Sequence, residues 1–410
     1  MYVVENFIIL FVLKKTMCNF AKSKVQLWIL QTMTKYIPRT LEQKIEKAHK
    51  YYQVITLTGP RQSGKSTLCR HLFHDYTYVN FEDIATRSSA MIDPSGFLSS
   101  LGKNAIIDEV QHVPDILSQI QVTVDNDASC KYILTGSSNF SLLERVTQSL
   151  AGRTALFTLL PFSIDEIRDR LHDKTTDWIM YDGFYPGVIA KDIPADMFYR
   201  NYYNTYVERD LRNLLRVNNI INFDRFIRLL ANRVGSEFNA AALSREVGVS
   251  ATTISEWLSL LVTSYIVFQL PPYFNNLSKR ITKSSKIYFY DSGLLCSLLG
   301  FKAADQMKNS SLRGAVFENM VIVELLKKSC NAGERPDIYF YRENSGIEVD
   351  AIVPSVDNIR LYEIKSGQTL LPSFAKNMKS VSEKLSLPVT STVIYDGPSF
   401  IPTALNFRDI

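Results

Sequence analysis

The stretch Gly59-Pro-Arg-Gln-Ser-Gly64-Lys65-Ser66, followed by Thr67, decides the fold. It satisfies G-x-x-x-x-G-K-[ST] in full, with a short apolar run, Val54-Ile-Thr-Leu57, before it and a helix-like stretch, Thr67 to Phe73, after it. Each residue type has a physical task. Gly59 and Gly64 let the backbone curl so that its N–H groups face phosphate oxygens. The N-terminus of the following helix adds its positive dipole end. Lys65 reaches the β- and γ-phosphates, and the Ser66 hydroxyl ligates Mg²⁺. Gly59, Pro60, Arg61, Gln62, Ser63, Gly64, Lys65, Ser66 and Thr67 are therefore expected to hold ATP with Mg²⁺.

On either side, from about 33 to 170, short apolar runs alternate with polar, periodic stretches. Tyr76–Val79, Ala105–Ile107, Lys131–Leu134 and Ala155–Leu159 join Val54–Leu57 as expected buried parallel strands separated by helices. Asp108-Glu109 ends one of them. The spacing predicts that Asp108 holds Mg²⁺ through water and that Glu109 polarises the attacking water as general base. The next run ends in Leu134-Thr-Gly-Ser137-Ser138-Asn139. Ser137 and Asn139 are either contacts to the γ-phosphate or its water, or simply a polar turn. Arg153, in Leu150-Ala-Gly-Arg153, is a candidate to stabilise transition-state charge, in cis or from a neighbouring subunit. The alternative for it is a surface turn.

Gly59 to Thr67, Ile107-Asp-Glu109, Leu134-Thr-Gly-Ser-Ser138 and Ala151-Gly-Arg153 together resemble the AAA-type P-loop ATPases of prokaryotes, in which a domain of unknown function follows the ATPase module. Tyr290-Asp-Ser-Gly-Leu294, Arg313-Gly-Ala-Val-Phe-Glu-Asn319, Tyr341 to Asp350 and Tyr362-Glu-Ile-Lys-Ser-Gly367 resemble that second domain. The resemblance spans residues 33 to 370. It implies an α/β P-loop fold of the additional-strand catalytic-glutamate class, with sheet order 5-1-4-3-2. It implies no particular substrate.

From 171 to 275 the pattern turns helical. The Phe198 to Leu215 stretch carries an aromatic stripe expected to pack in a core. Phe238 to Ser250, then Thr252 to Leu261, reads as helix, glycine turn, helix, and Tyr265–Leu270 as a following strand, a winged-helix-like unit. The second helix has no Lys or Arg, which favours packing over DNA reading. Lys279, Arg280, Lys283 and Lys286 remain as cations that can reach phosphates from a wing. From 276 to 410 the pattern is mixed: Lys286–Tyr290 reads as a strand, Gly314 to Lys328 as a helix, and Ile338–Tyr341, Val349–Val353 and Arg360–Ile364 as three further strands. Glu318 on a helix, Asp350 on a strand, and Glu363 and Lys365 on the next strand form the PD-(D/E)xK nuclease pattern. Residues two apart in a strand share a face, so Glu363 and Lys365 project together beside Asp350. Two carboxylates would hold Mg²⁺, and Lys365 would orient the attacking water.

Among the 410 residues, 46% are hydrophobic, enough for a sizeable core without disulfides. The five scattered cysteines form no C-x-x-C pair, which fits a reducing cytoplasm. The net charge of +5 permits DNA contact without arguing for it. Residues 1–32 form an N-terminal extension whose apolar run, Phe7 to Leu13, is too short to span a bilayer, so no stable membrane insertion is expected, and Met33 is an alternative start. The reading is an ATPase, with a homo-oligomer as a possible form, whose nucleotide state moves a winged-helix and nuclease-like C-terminal half. The alternative is an ATP-regulated nucleic-acid- or protein-binding switch with little turnover.

Overall fold

Strand β1 (Val54–Thr58) is buried along its whole length. An apolar run of this kind needs partners on both edges and cover on both faces. In the computed structural model, which describes residues 36–137, 146, 148–210, 220–273, 284–343 and 345–410, it has them. β4 (Lys131–Gly136) pairs with one edge and β5 (Thr154–Thr158) with the other, both parallel. β3 (Asn104–Asp108) pairs parallel with β4, and β2 (Thr77–Asn80) parallel with β3. The order β2-β3-β4-β1-β5 is the expected 5-1-4-3-2 read from the other edge. Helices α1 (Glu42–His49), α2 (Lys65–Leu72), α3 (Ile84–Ile92), α4 (Pro94–Ser100) and α5 (Ile116–Asn126) separate or flank the strands. Asp93 starts α4 by accepting from the Gly96 amide, with Pro94 at its first position.

Three further helices follow: α6 (Thr176–Asp182), α7 (Pro186–Ile189) and α8 (Ala195–Tyr202), the last continuing as a π-helical stretch over Tyr203–Asp210. Its aromatic stripe is packed inside: Tyr202 lies 5.1 Å from Tyr185 and 5.4 Å from Tyr206 between ring centroids. α9 (Ile220–Asn232), α10 (Ala240–Val247) and α11 (Ala251–Thr263) come next. Gly248 closes α10 in the left-handed region, and the Ser250 side chain caps α11 at the Thr253 amide. β6 (Val267–Leu270) and β7 (Lys286–Phe289) form an antiparallel pair. The segment before α10 adds to the free edge of β7 through Gly235 N to Ile287 O, 2.9 Å, and Phe238 N to Ser285 O, 2.9 Å.

After α12 (Ser292–Leu298), the long helix α13 (Arg313–Asn331) lies against a second sheet. Its order is β12-β11-β10-β9-β8. β8 (Tyr339–Arg342), β9 (Glu348–Pro354) and β10 (Ile359–Lys365) are antiparallel, whereas β11 (Val389–Tyr395) and β12 (Ala404–Asn406) run parallel to β10. A helix, α14 (Lys376–Ser382), crosses between β10 and β11. Pro38 to Ile410 make one compact unit. Among the described residues no helix is long and apolar enough to cross a membrane, and the four described cysteines are free and buried.

Candidate active site

The loop after β1 is shaped by what surrounds it. Gly59 has φ 142°, and a Cβ there would fall 2.1 Å from the Leu159 carbonyl oxygen. The end of β5 therefore passes so close that only glycine fits. Gln62 and Gly64 also adopt positive φ, which turns the loop into α2. Lys65 is buried, and its Nζ donates to the Gly59 and Pro60 carbonyls at 2.9 and 2.8 Å. Burial holds its pKa below the ordinary lysine range, opposed by the Glu109 and Asp108 charges. Arg61 pairs with Glu82 at 3.1 Å and lies over the Tyr206 ring.

Beneath the loop, Ser66 Oγ donates to Asp108 Oδ2 at 2.6 Å. Tyr78, on β2, donates to the same oxygen at 2.7 Å, and Thr135, on β4, donates to Asp108 Oδ1. Glu109 follows in the left-handed region, φ 55°, which turns its side chain out of the strand. Ser137 Oγ donates to Glu109 Oε2 at 3.0 Å, and Gln111 Nε2 donates to that same oxygen. Ser137 thus sits against the carboxylate of the expected general base. Asn139 lies outside the described residues.

A cavity of about 490 Å³ opens over the loop, within the range of about 300–1,000 Å³ of small-molecule sites. Gln62, Gly64, Lys65, Ser66, Thr67 and Glu109 line its floor. Its roof comes from the helical segment, with Lys191, Asn201 and Thr205 as polar groups.

Arg153 is placed elsewhere. The Val54 amide donates to the Arg153 carbonyl, so Arg153 stands at the start of β5, while the phosphate loop stands at the far end of β1. The separation is on the order of 15 Å at about 3.3 Å per residue. Its guanidinium is engaged by Asp125 at 2.6 and 2.8 Å. Within one chain it does not reach the site, which corrects the cis expectation.

The C-terminal residues singled out in the sequence do converge. Lys365 Nζ lies 2.7 Å from Glu363 Oε1 and 3.8 Å from Asp350 Oδ2. Asp350 Oδ2 also accepts from the Ile364 amide at 2.8 Å. Glu318, from α13, accepts from the Tyr288 hydroxyl at 2.6 Å. Burial, reinforced by the Asp350 charge, pushes Glu318 and Glu363 up to about 7. Lys286 corrects an expectation. Rather than reaching outward for phosphates, it is buried, paired with Glu348 and 3.7 Å from Glu318 Oε1. Lys279, Arg280 and Lys283 lie outside the described residues. The outer face of α11 presents Thr252, Ser255, Glu256 and Ser259, with no cation.

Comparison with known proteins matches the same layout. An AAA domain model covers residues 51–168, and models of two domains of unknown function, DUF8612 and DUF4143, cover 173–305 and 313–407. The uncharacterized protein Rv2008c of Mycobacterium tuberculosis is 30% identical over 352 residues, spanning 85% of this chain and 78% of its own. The chain belongs to this family of AAA-type P-loop ATPases. Another relative of this family member, the uncharacterized protein MJ1544 of Methanocaldococcus jannaschii, is 25% identical over 339 residues, 73% of this chain and 72% of its own. Among solved structures, a Walker-type ATPase of Pyrococcus abyssi aligns with 63% of this chain and 94% of its own, at 15% identity and a TM-score of 0.41.

Several residues of the family member's site carry no sequence signal. Arg39 is buried behind the loop, its Nη1 donating to the Ser63 carbonyl at 3.0 Å and its Nη2 to the Leu160 carbonyl at 2.6 Å. Its Nε lies 3.1 Å from the buried Glu166 carboxylate. Tyr78 and Gln111 likewise belong to no motif. Thr135 stands inside the quoted Leu134-Thr-Gly-Ser-Ser138 run, and a buried polar residue next to the last position of β4 is the available clue.

Proposed function

We propose that the protein is a Mg²⁺-dependent ATPase. What carries this reading is the adjacency of two carboxylates at the end of β3: Asp108 bonds the P-loop hydroxyl of Ser66, and Glu109 faces the same cavity. The backbone of Gly59 to Thr67 and the Lys65 ammonium hold the phosphates. Ser66 Oγ and the Asp108 carboxylate, oxygen donors already in contact, suit Mg²⁺ and would hold it, directly or through water. The ion supplies charge neutralisation on the phosphoryl oxygens. Glu109 accepts a proton from the attacking water at its carboxylate, positioned by Ser137 and Gln111. Arg153 serves a neighbouring copy in a homo-oligomer, since its own loop is out of reach. Glu109→Gln is expected to keep ATP binding and to lose phosphate release by about 10²- to 10⁴-fold.

A second reading has its own support. Both Ser137 and Gln111 bond the Glu109 carboxylate, an arrangement that also suits an ATP-regulated binding switch with little turnover. Wild-type protein releasing phosphate no faster than Glu109→Gln would favour the switch.

For the C-terminal half we propose a winged-helix-like unit, 220–289, followed by a nuclease-like domain. The three-helix order, the edge addition of 235–238 to β7 and the β6–β7 pair support the first. The juxtaposition of Asp350, Glu363 and Lys365 on β9 and β10, with Glu318 from α13, supports the second. DNA is the substrate this reading names. Nicking of plasmid DNA with Mg²⁺ or Mn²⁺ is expected from wild type and not from Lys365→Ala; equal nicking by both rejects it.

A further inference from the structure

Helix α8 and its continuation separate two cavities. Asn201, Tyr202 and Thr205 line the one over the phosphate loop. Tyr199, Arg200 and Tyr203 line a second, of about 460 Å³, again the size of a small-molecule site. Neither the ATPase nor the nuclease-like reading uses it. Its walls come from α6, α8, α9, α12 and the loop after α12, and hydrogen bonds tie them together. Tyr181 of α6 donates to the Lys302 carbonyl at 2.8 Å. Tyr203 donates to Asp224 Oδ1 of α9 at 2.6 Å, and Arg228 Nε, one turn along α9, donates to Asp224 Oδ2 at 2.9 Å. Arg228 Nη1 also reaches the Leu298 carbonyl at the end of α12, 3.4 Å away. The π-helical stretch begins on this wall, at Tyr203, and such departures from α-helix are frequent at functional sites.

The charge of the walls is uneven. Three cations reach the cavity from three elements: Arg200 from α8, Arg228 from α9 and Lys302 from the loop after α12. Among the described residues Asp196 is the one carboxylate in the lining. Asp224 compensates Arg228. Arg200 and Lys302 are exposed, and among the described residues neither has an ion pair. The chain as a whole is nearly balanced, with 46 basic and 41 acidic residues, so the excess is local. Cations that converge on one hollow from separate elements raise its potential and draw anions into it. Arginine and lysine then offer charge-assisted hydrogen bonds to oxyanions.

We infer that this cavity binds a small, multiply charged oxyanion, bearing phosphate or carboxylate groups, on the other side of α8 from the phosphate loop. Arg200, Arg228 and Lys302 hold its oxygens. The site needs neither ATP hydrolysis nor nuclease-like chemistry.

The test is calorimetric titration of the full chain carrying Lys65→Ala, which weakens the phosphate loop, with pyrophosphate and, separately, with citrate. One site is expected, and the tighter of the two probes gives the class of acid. Arg200→Gln with Lys302→Gln in that chain is expected to weaken binding at least about tenfold. Both side chains are exposed, so the fold does not depend on them. No binding of either anion, or binding that the double variant leaves unchanged, overturns the inference. If Lys65→Ala does not fold, wild type replaces it. The phosphate loop then adds its own pyrophosphate site, and the double variant is expected to lower two sites to one. A wild-type stoichiometry and affinity that the double variant does not change overturn the inference equally.

Discussion

At Gly59 a methyl group has nowhere to go. The Leu159 carbonyl would lie 2.1 Å from it, and φ is 142°. Gly64, six residues from β1, is different: its φ of 98° is strained for other residues, but a Cβ meets nothing nearer than 3.8 Å. Gly59→Ala is therefore expected to cost about 3 kcal/mol or more and to abolish ATP binding. Gly64→Ala is expected to cost about 1–2 kcal/mol, the backbone strain alone. Urea unfolding and nucleotide titration of the two variants measure the difference. Residues of this kind were legible because a P-loop is local: spacing over eight positions states the requirement. Arg39 was not legible. Its acceptors, Ser63 and Leu160, lie 24 and 121 residues away, and a lone arginine before a helix announces nothing. Arg153 shows the converse: a motif-like setting named the residue, but only strand register shows which end of the sheet it occupies.

The elements were legible in proportion to their periodicity. The three central strands of the first sheet, β1, β3 and β4, carry buried apolar runs, whereas the edge strands β2 and β5 are only partly buried, and the expected helix at 314–328 is α13, three residues longer at its C-terminal end. β11 and β12 were missed. Val389-Thr-Ser-Thr-Val is half polar and only partly buried at its start, so neither alternation nor a continuous apolar run marks it. α13 also shows what a single element can join. Its Glu324 accepts from the Ile164 amide at 2.8 Å, and its Lys327 donates to the Phe162 carbonyl at 2.7 Å, the two side chains being paired at 2.6 Å. Burial raises the Glu324 pKa, opposed by Lys327. Lys327→Met would leave that carboxylate uncompensated, at an expected cost of about 3–5 kcal/mol, while Glu324→Gln with Lys327→Met should recover part of it. A double-mutant cycle by chemical denaturation checks this. Additive losses would show that the pair does not act as a unit.

At the scale of the whole molecule, the position of Arg153 makes a statement about assembly. If it serves a neighbour, Arg153→Ala and Glu109→Gln are each inactive alone, but mixing them creates interfaces with one intact Glu109 and one intact Arg153. Phosphate release by the mixture, above the sum of the two, is the expected result; a strictly additive mixture rejects the exchange. The bond from Tyr265 to Thr58, 2.9 Å, ties the β6–β7 pair to the strand that ends in the P-loop. The sequence could name both segments but not their contact, since 207 residues separate them. The grip of α13 on residues 162–164 has a consequence for how this gene can be cut and exchanged. A fragment stopped near residue 170 keeps every motif of nucleotide binding, yet strips Phe162, Ser163 and Ile164 of their α13 partners at once. Chimeras that swap the C-terminal half between relatives inherit the same mismatch unless both sides of that grip travel together.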